Sequence, residues 1–120
     1  MSATDTQAES HSWYPYVSLV DEIWVEVRPM IGSITLSALV ASAMRHVATD
    51  HPFLADVQSS SAGINRESLV SALSSQEEEV ATASMRDFVQ KLLTVFESVA
   101  GPIIVKQIMP KVMMAESREA

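Results

Sequence analysis

A chain of 120 residues of which 48% are apolar can bury one core of its own, and its 3 glycines are too few for an all-β fold built on tight turns. The net charge is −7 and Lys and Arg form no cluster, which excludes the cationic surface that nucleic acid or an anionic membrane requires and favours a neutral or basic protein partner. The absence of cysteine excludes disulfides and thiolate chemistry, and a reducing, cytoplasmic setting is expected.

Residues 1–12 (MSATDTQAESHS) are polar, with two acids and neither Lys nor Arg, and are expected to form a disordered tail. They lack the basic start and apolar stretch of a secretory signal. A single helical domain is expected over 13–115, with a frayed end at 116–120.

Pro15 suits the first turn of a helix, where its missing N–H has no role. Val17, Val20, Ile23, Trp24, Val27, Met30 and Ile31 follow at steps of three and four, which predicts a helix over Pro15–Ile31 with Pro29 kinking its last turn. Gly32 is expected to end it in the left-handed conformation, and Ser33 to cap the next helix. That helix, Ile34–Ala48, carries Ile34, Leu36, Leu39, Val40, Ala43, Met44 and Val47. Its apolar run from Ile34 to Met44 is about half of the roughly 20 residues a membrane span needs, so it is read as a buried helix.

Pro52 stops the second helix. Phe53, Leu54 and Val57 are expected to plug the core from a turn, and 58–63 (QSSSAG) reads as a loop. Asn65 is a good N-cap for a short helix over Arg66–Leu73. Ser75 with Glu78 three residues on matches a capping box for a long helix that ends near Val99. Ala81, Met85, Phe88, Val89, Leu92, Phe96 and Val99 form its stripe. Gly101-Pro102 breaks the chain, and a last helix over Ile103–Met114, with Pro110 inside it, carries Ile104, Val105, Ile108, Val112 and Met113.

The segment Leu19–Met44 lies over Phe88–Met113 at a constant offset that matches Val20 with Val89, Gly32 with Gly101, Ile34 with Ile103 and Met44 with Met113. Either the chain holds a duplicated helical hairpin, or any two antiparallel helices joined at a glycine align this way. Both alternatives give the same class: all-α, with a four-helix core from two hairpins and a short additional helix.

The run Val99-Ala100-Gly101-Pro102-Ile103-Ile104-Val105-Lys106 resembles the Gly-Pro-Ile helical corner of small helical accessory domains appended to bacterial kinases and response regulators. The resemblance covers one hairpin. It implies a signalling or scaffolding role without catalytic residues, and Ser33 departs from the pattern where the other hairpin would need Pro.

Catalytic and metal chemistries lack their residues. Histidine phosphotransfer domains resemble one another in an exposed His with Lys and Gly just downstream, and His46 has neither. A di-iron bundle needs Glu-x-x-His, and no Glu here has His three residues later. His46, Asp50 and His51 are the weak metal candidates, at one helix end and short of a zinc ligand set. No Gly-rich nucleotide fingerprint or nucleophile elbow occurs. No catalytic residue, metal or cofactor is therefore expected.

Two functional readings remain. The first is a non-catalytic interaction or regulatory module that binds a second copy of itself and another protein, through Trp13, Tyr14 and Tyr16 at one end or Met113 and Met114 at the other. The adjacent methionines cannot both face one core, so one of them is expected on an exposed face or an interface. The second is a small-molecule sensor with a cavity between the hairpins lined by Trp24, Val27, Met85, Leu92 and Phe96.

Overall fold

The computed structural model describes residues 11–60 and 63–119. The chain forms five α-helices among these residues: α1 (Tyr14–Ile31), α2 (Ser33–Ala48), α3 (Arg66–Ser74), α4 (Glu78–Ala100) and α5 (Pro102–Glu119). A 3-10 turn (Pro52–Asp56) and a two-residue antiparallel pair, β1 (Ser59–Ser60) with β2 (Gly63–Ile64), link α2 to α3. The architecture is the all-α core expected from the helical spacing. Among the described residues no helix is long and apolar enough to cross a membrane.

The two long hairpins, α1–α2 and α4–α5, pack crosswise. The first helix of each lies chiefly on the second helix of the other: α1 on α5, and α2 on α4. Exchanging the hairpins leaves that pairing unchanged. Both corners are also built alike. Gly32 (φ 84, ψ 157) and Gly101 (φ 78, ψ −175) each donate an N–H to the carbonyl four residues back, Arg28 and Glu97, at 2.8 and 2.9 Å. These angles lie in a positive-φ, extended region that only glycine occupies readily, and not in the left-handed helical region expected at Gly32.

Tyr16, Leu19, Val20, Ile23 and Val27 of α1, and Met85, Phe88, Val89, Leu92 and Phe96 of α4, are buried at matching positions of the offset. Leu36, Val40, Ala43, Met44 and Val47 of α2 meet them, as do Ile104, Ile108, Val112 and Ala115 of α5. Burial of each large side chain contributes about 1.5–3 kcal/mol, which offsets the ordering of the chain. Leu54 plugs the core from the 3-10 turn as expected, while Phe53 and Val57 pack half-buried beside it.

Several local expectations are corrected. Ser33 is the first residue of α2 and makes no side-chain cap; the chain enters α2 directly from Gly32. The capping box at α4 is not formed: α4 starts at Glu78 with Glu77 as its N-cap, and the Ser75 hydroxyl instead donates to the Ala72 carbonyl at 2.8 Å at the end of α3. Asn65 does cap α3, its Oδ1 accepting the Ser68 N–H at 2.8 Å. The last helix runs past Met114 to Glu119.

Of the expected tail, residues 1–10 lie outside the described residues. His11 and Ser12 belong to the fold: His11 stacks on Trp13 with ring centroids 4.9 Å apart and bonds Glu78 at 2.6 Å, and Ser12 Oγ meets Thr82 Oγ1 at 2.6 Å. Those contacts bring the starts of α1 and α4 together. Ser61 and Ala62 of the expected 58–63 loop also lie outside the described residues.

Candidate functional site

Helix α5 is apolar on two sides. Ile104, Ile108, Val112 and Ala115, at steps of four, four and three, are buried against α1 and α4. The opposite face carries Ile103, Pro110, Met113 and Met114, and Ile103, Met113 and Met114 are 70%, 62% and 58% exposed. Both methionines, and not only one, therefore stand in solvent. Ile103 precedes Met114 by three helical turns, so the two lie on one line along the helix. Pro110 sits between them; without an N–H it leaves the carbonyl of Lys106 short of its helical donor.

The charges of this face are sparse and of both signs. Lys106 is exposed near the start of α5, and Glu116 and Arg118 are exposed near its end. None of the three has a salt-bridge partner among the described residues.

The aromatic end is not a comparable surface. Trp13 and Tyr16 are each 1% exposed, which corrects their place as interface candidates. Tyr16 continues the buried line of α1 through Val20, Ile23 and Val27, and Trp13 is covered by His11 and precedes the first turn of α1. Tyr14 is half-buried under Arg66, whose guanidinium carbon lies 5.3 Å from the ring centroid. Arg66 also bonds the Tyr14 hydroxyl and pairs with Asp21 at 2.6 Å. Tyr14 thus fastens α3 to α1, a contact that no local sequence pattern announces.

His46, Asp50 and His51 do not gather. His51 Nε2 turns to Asp87 Oδ2 on α4, at 2.8 Å. His46 and Asp50 face an open, polar groove of about 420 Å³ shared with Asp87, Gln90, Lys91 and Thr94. Among the described residues no three His, Asp or Glu side chains converge as metal ligands.

The five cavity candidates are separated. Val27, Met85, Leu92 and Phe96 are each 0% exposed and fill the core. Trp24 stands apart, half-buried, lining a cleft of about 270 Å³ with Val20, Val25, Val40 and Ile64. Gly63 closes that cleft, with the Trp24 ring 3.4 Å from where a Cβ would stand.

No protein-family model, no curated protein and no solved structure matches the chain. The outward face of α5 is one part of the surface where large apolar side chains stand exposed; Val25 and Ile34 of the first hairpin are others.

Proposed function

We propose that the protein is a non-catalytic interaction module that self-associates and so presents its acidic surface to a further protein, in the manner of a scaffolding or regulatory domain. The carrying observation is the outward face of α5, where Ile103, Met113 and Met114 are all more than half exposed. A small domain gains by covering such a face, and association with a second copy is the common way. Methionine suits a surface that adapts to its partner. The Gly-Pro-Ile corner at the start of α5 agrees with the accessory signalling or scaffolding role that its resemblance implies in bacteria. A cytoplasmic setting agrees with the lack of cysteine.

A sensor with a cavity between the hairpins is the weaker reading, because four of its five lining residues fill the core. The test is native mass spectrometry with light scattering across a dilution series. Multiples of the 13.1 kDa chain that dissociate on dilution are expected. The double variant Met113→Glu/Met114→Glu should remain monomeric with unchanged helical circular dichroism. A wild-type chain that stays monomeric at every concentration would overturn the self-association reading.

A further inference from the structure

We propose that Met113 and Met114 form an oxidation site, at which a peroxide converts both thioethers to sulfoxides and makes the outward face of α5 polar while the fold stays intact. Such a site needs no partner, and so is independent of the self-association proposed above.

The chain offers no other sulfur chemistry. It has 7 methionines and no cysteine, so thioethers are its only oxidisable sulfurs. Met1 lies outside the described residues, and the others divide by burial. Met44 and Met85 are buried, and Met109 packs half-buried against the core. Met30 is exposed, but less so than Met113 or Met114, which are the two most exposed methionines among the described residues. Susceptibility to oxidation follows this order, because the oxidant has to reach the sulfur. The thioether sulfur attacks one oxygen of hydrogen peroxide, the O–O bond breaks and an S–O bond forms. The sulfur is oxidised, the peroxide is reduced, and its second oxygen leaves as water with both hydrogens.

The position on α5 decides the effect. Residues 113 and 114 are consecutive and stand about 100° apart around the helix, so two sulfoxides fall on one patch. Each puts a polar oxygen where the monomer shows a flexible apolar side chain. The exposed apolar line of α5 is then reduced to Ile103 and Pro110. No core contact is lost, because Ile104, Ile108, Val112 and Ala115 hold α5 to α1 and α4 from the opposite side. A sulfoxide at Met44 or Met85 would instead place its oxygen inside the core. The fold thus separates two methionines that tolerate oxidation from two whose oxidation unfolds it. Methionine sulfoxide is reduced back enzymatically, so the change of surface is reversible on a folded chain.

Limited hydrogen peroxide treatment of the full chain in dilute solution, followed by peptide mapping with fragment mass spectrometry, tests the site. Met113 and Met114 should react roughly tenfold faster than Met44 and Met85, with Met30 and Met109 between them. In urea all of these methionines should react alike, since the order comes from the fold. Helical circular dichroism should be unchanged once the first two sulfoxides have formed, while retention on a hydrophobic-interaction column should fall. The variant Met113→Leu/Met114→Leu keeps the face apolar without sulfur. Its retention should hold under the same treatment, and Met1 and Met30 are common to both chains, so the difference reports residues 113 and 114.

Reaction at Met113 and Met114 no faster than at Met44 and Met85, at every dilution, would overturn the site. Equal losses of retention in the wild type and the leucine variant would overturn its effect on the surface, as would loss of helix with the first two sulfoxides. Fast reaction in dilute solution that slows as protein concentration rises would support both the site and self-association through this face. Fast reaction at every concentration would support the site alone.

Discussion

The two hairpins share a sequence rhythm and use it differently. In their first helices, α1 and α4, the aligned positions are aligned in space: Leu19 and Phe88, Ile23 and Leu92, Val27 and Phe96 are all buried. In their second helices the match slips by one residue, except at Ala43 and Val112, which are buried in both. Helix α2 buries Leu36, Val40, Ala43 and Val47, but α5 buries Ile104, Ile108, Val112 and Ala115, which align with Thr35, Leu39, Ala43 and His46. One residue is about 100° of helix rotation. At Met44 and Met113 the same letter is thereby turned inward in α2 and outward in α5, whereas Ile34 and Ile103 point outward in both. Met44 is 8% exposed and its aligned partner Met113 is 62% exposed. The second hairpin accordingly leaves both Met113 and Met114 in solvent beside Ile103.

The comparison is broken most strongly at the matched core positions of the first helices. Phe88→Ala should cost about 3–5 kcal/mol and Leu19→Ala about 2–5 kcal/mol, since each side chain is fully enclosed. Urea titrations followed by circular dichroism measure both. A change below about 1 kcal/mol at either site would mean that the two first helices are not equivalent partners in one core.

The glycine corners come next. Gly32→Ala and Gly101→Ala meet no steric obstacle, for no atom lies within 4 Å of either added Cβ. Their cost is therefore backbone strain alone, about 1–3 kcal/mol at these angles, and nearly the same at both corners. Melting curves of the two variants should shift downward together. A shift at only one of them would show that the corners, alike in angle, bear different loads.

Between the hairpins, Asn65→Ala removes the cap of α3 and should cost about 1 kcal/mol. Thermal melts check it. If α3 contributed nothing to holding the hairpins together, its cap would be silent in the global transition and would change only local hydrogen exchange.

Much of this was legible in the sequence, and the illegible parts have physical reasons. The all-α class, both glycine corners, the Asn65 cap and most of the stripes of α1 and α4 follow from spacing, while Met30 and Val99 at the ends of those stripes are exposed. Helix α5 has two apolar faces, and periodicity alone does not say which one turns inward. Tyr16 could have been placed, since it continues the line of Val20, Ile23 and Val27 at helical steps. The Ser75–Glu78 pattern misled because α4 starts at Glu78 with Glu77 before it, so Glu78 is the first helical residue and not the third that the box requires. The contacts Ser12–Thr82, Arg66–Tyr14 and His51–Asp87 join residues far apart in the chain, and short-range patterning carries no trace of them.

The finest discrimination between the hairpins is at Met44 and Met113, which the sequence alignment treats as one position. Met44→Ala empties a buried site and should cost about 2–5 kcal/mol. Met113→Ala trims an exposed side chain and should leave the stability of the dilute monomer within about 0.5 kcal/mol of wild type. Its effect should appear only as the concentration rises, as weaker self-association by light scattering. Equal losses at the two methionines in dilute solution would mean that α5 turns Met113 inward as α2 turns Met44. The rotation between the hairpins, and the outward apolar face that follows from it, would then be absent from the molecule in solution.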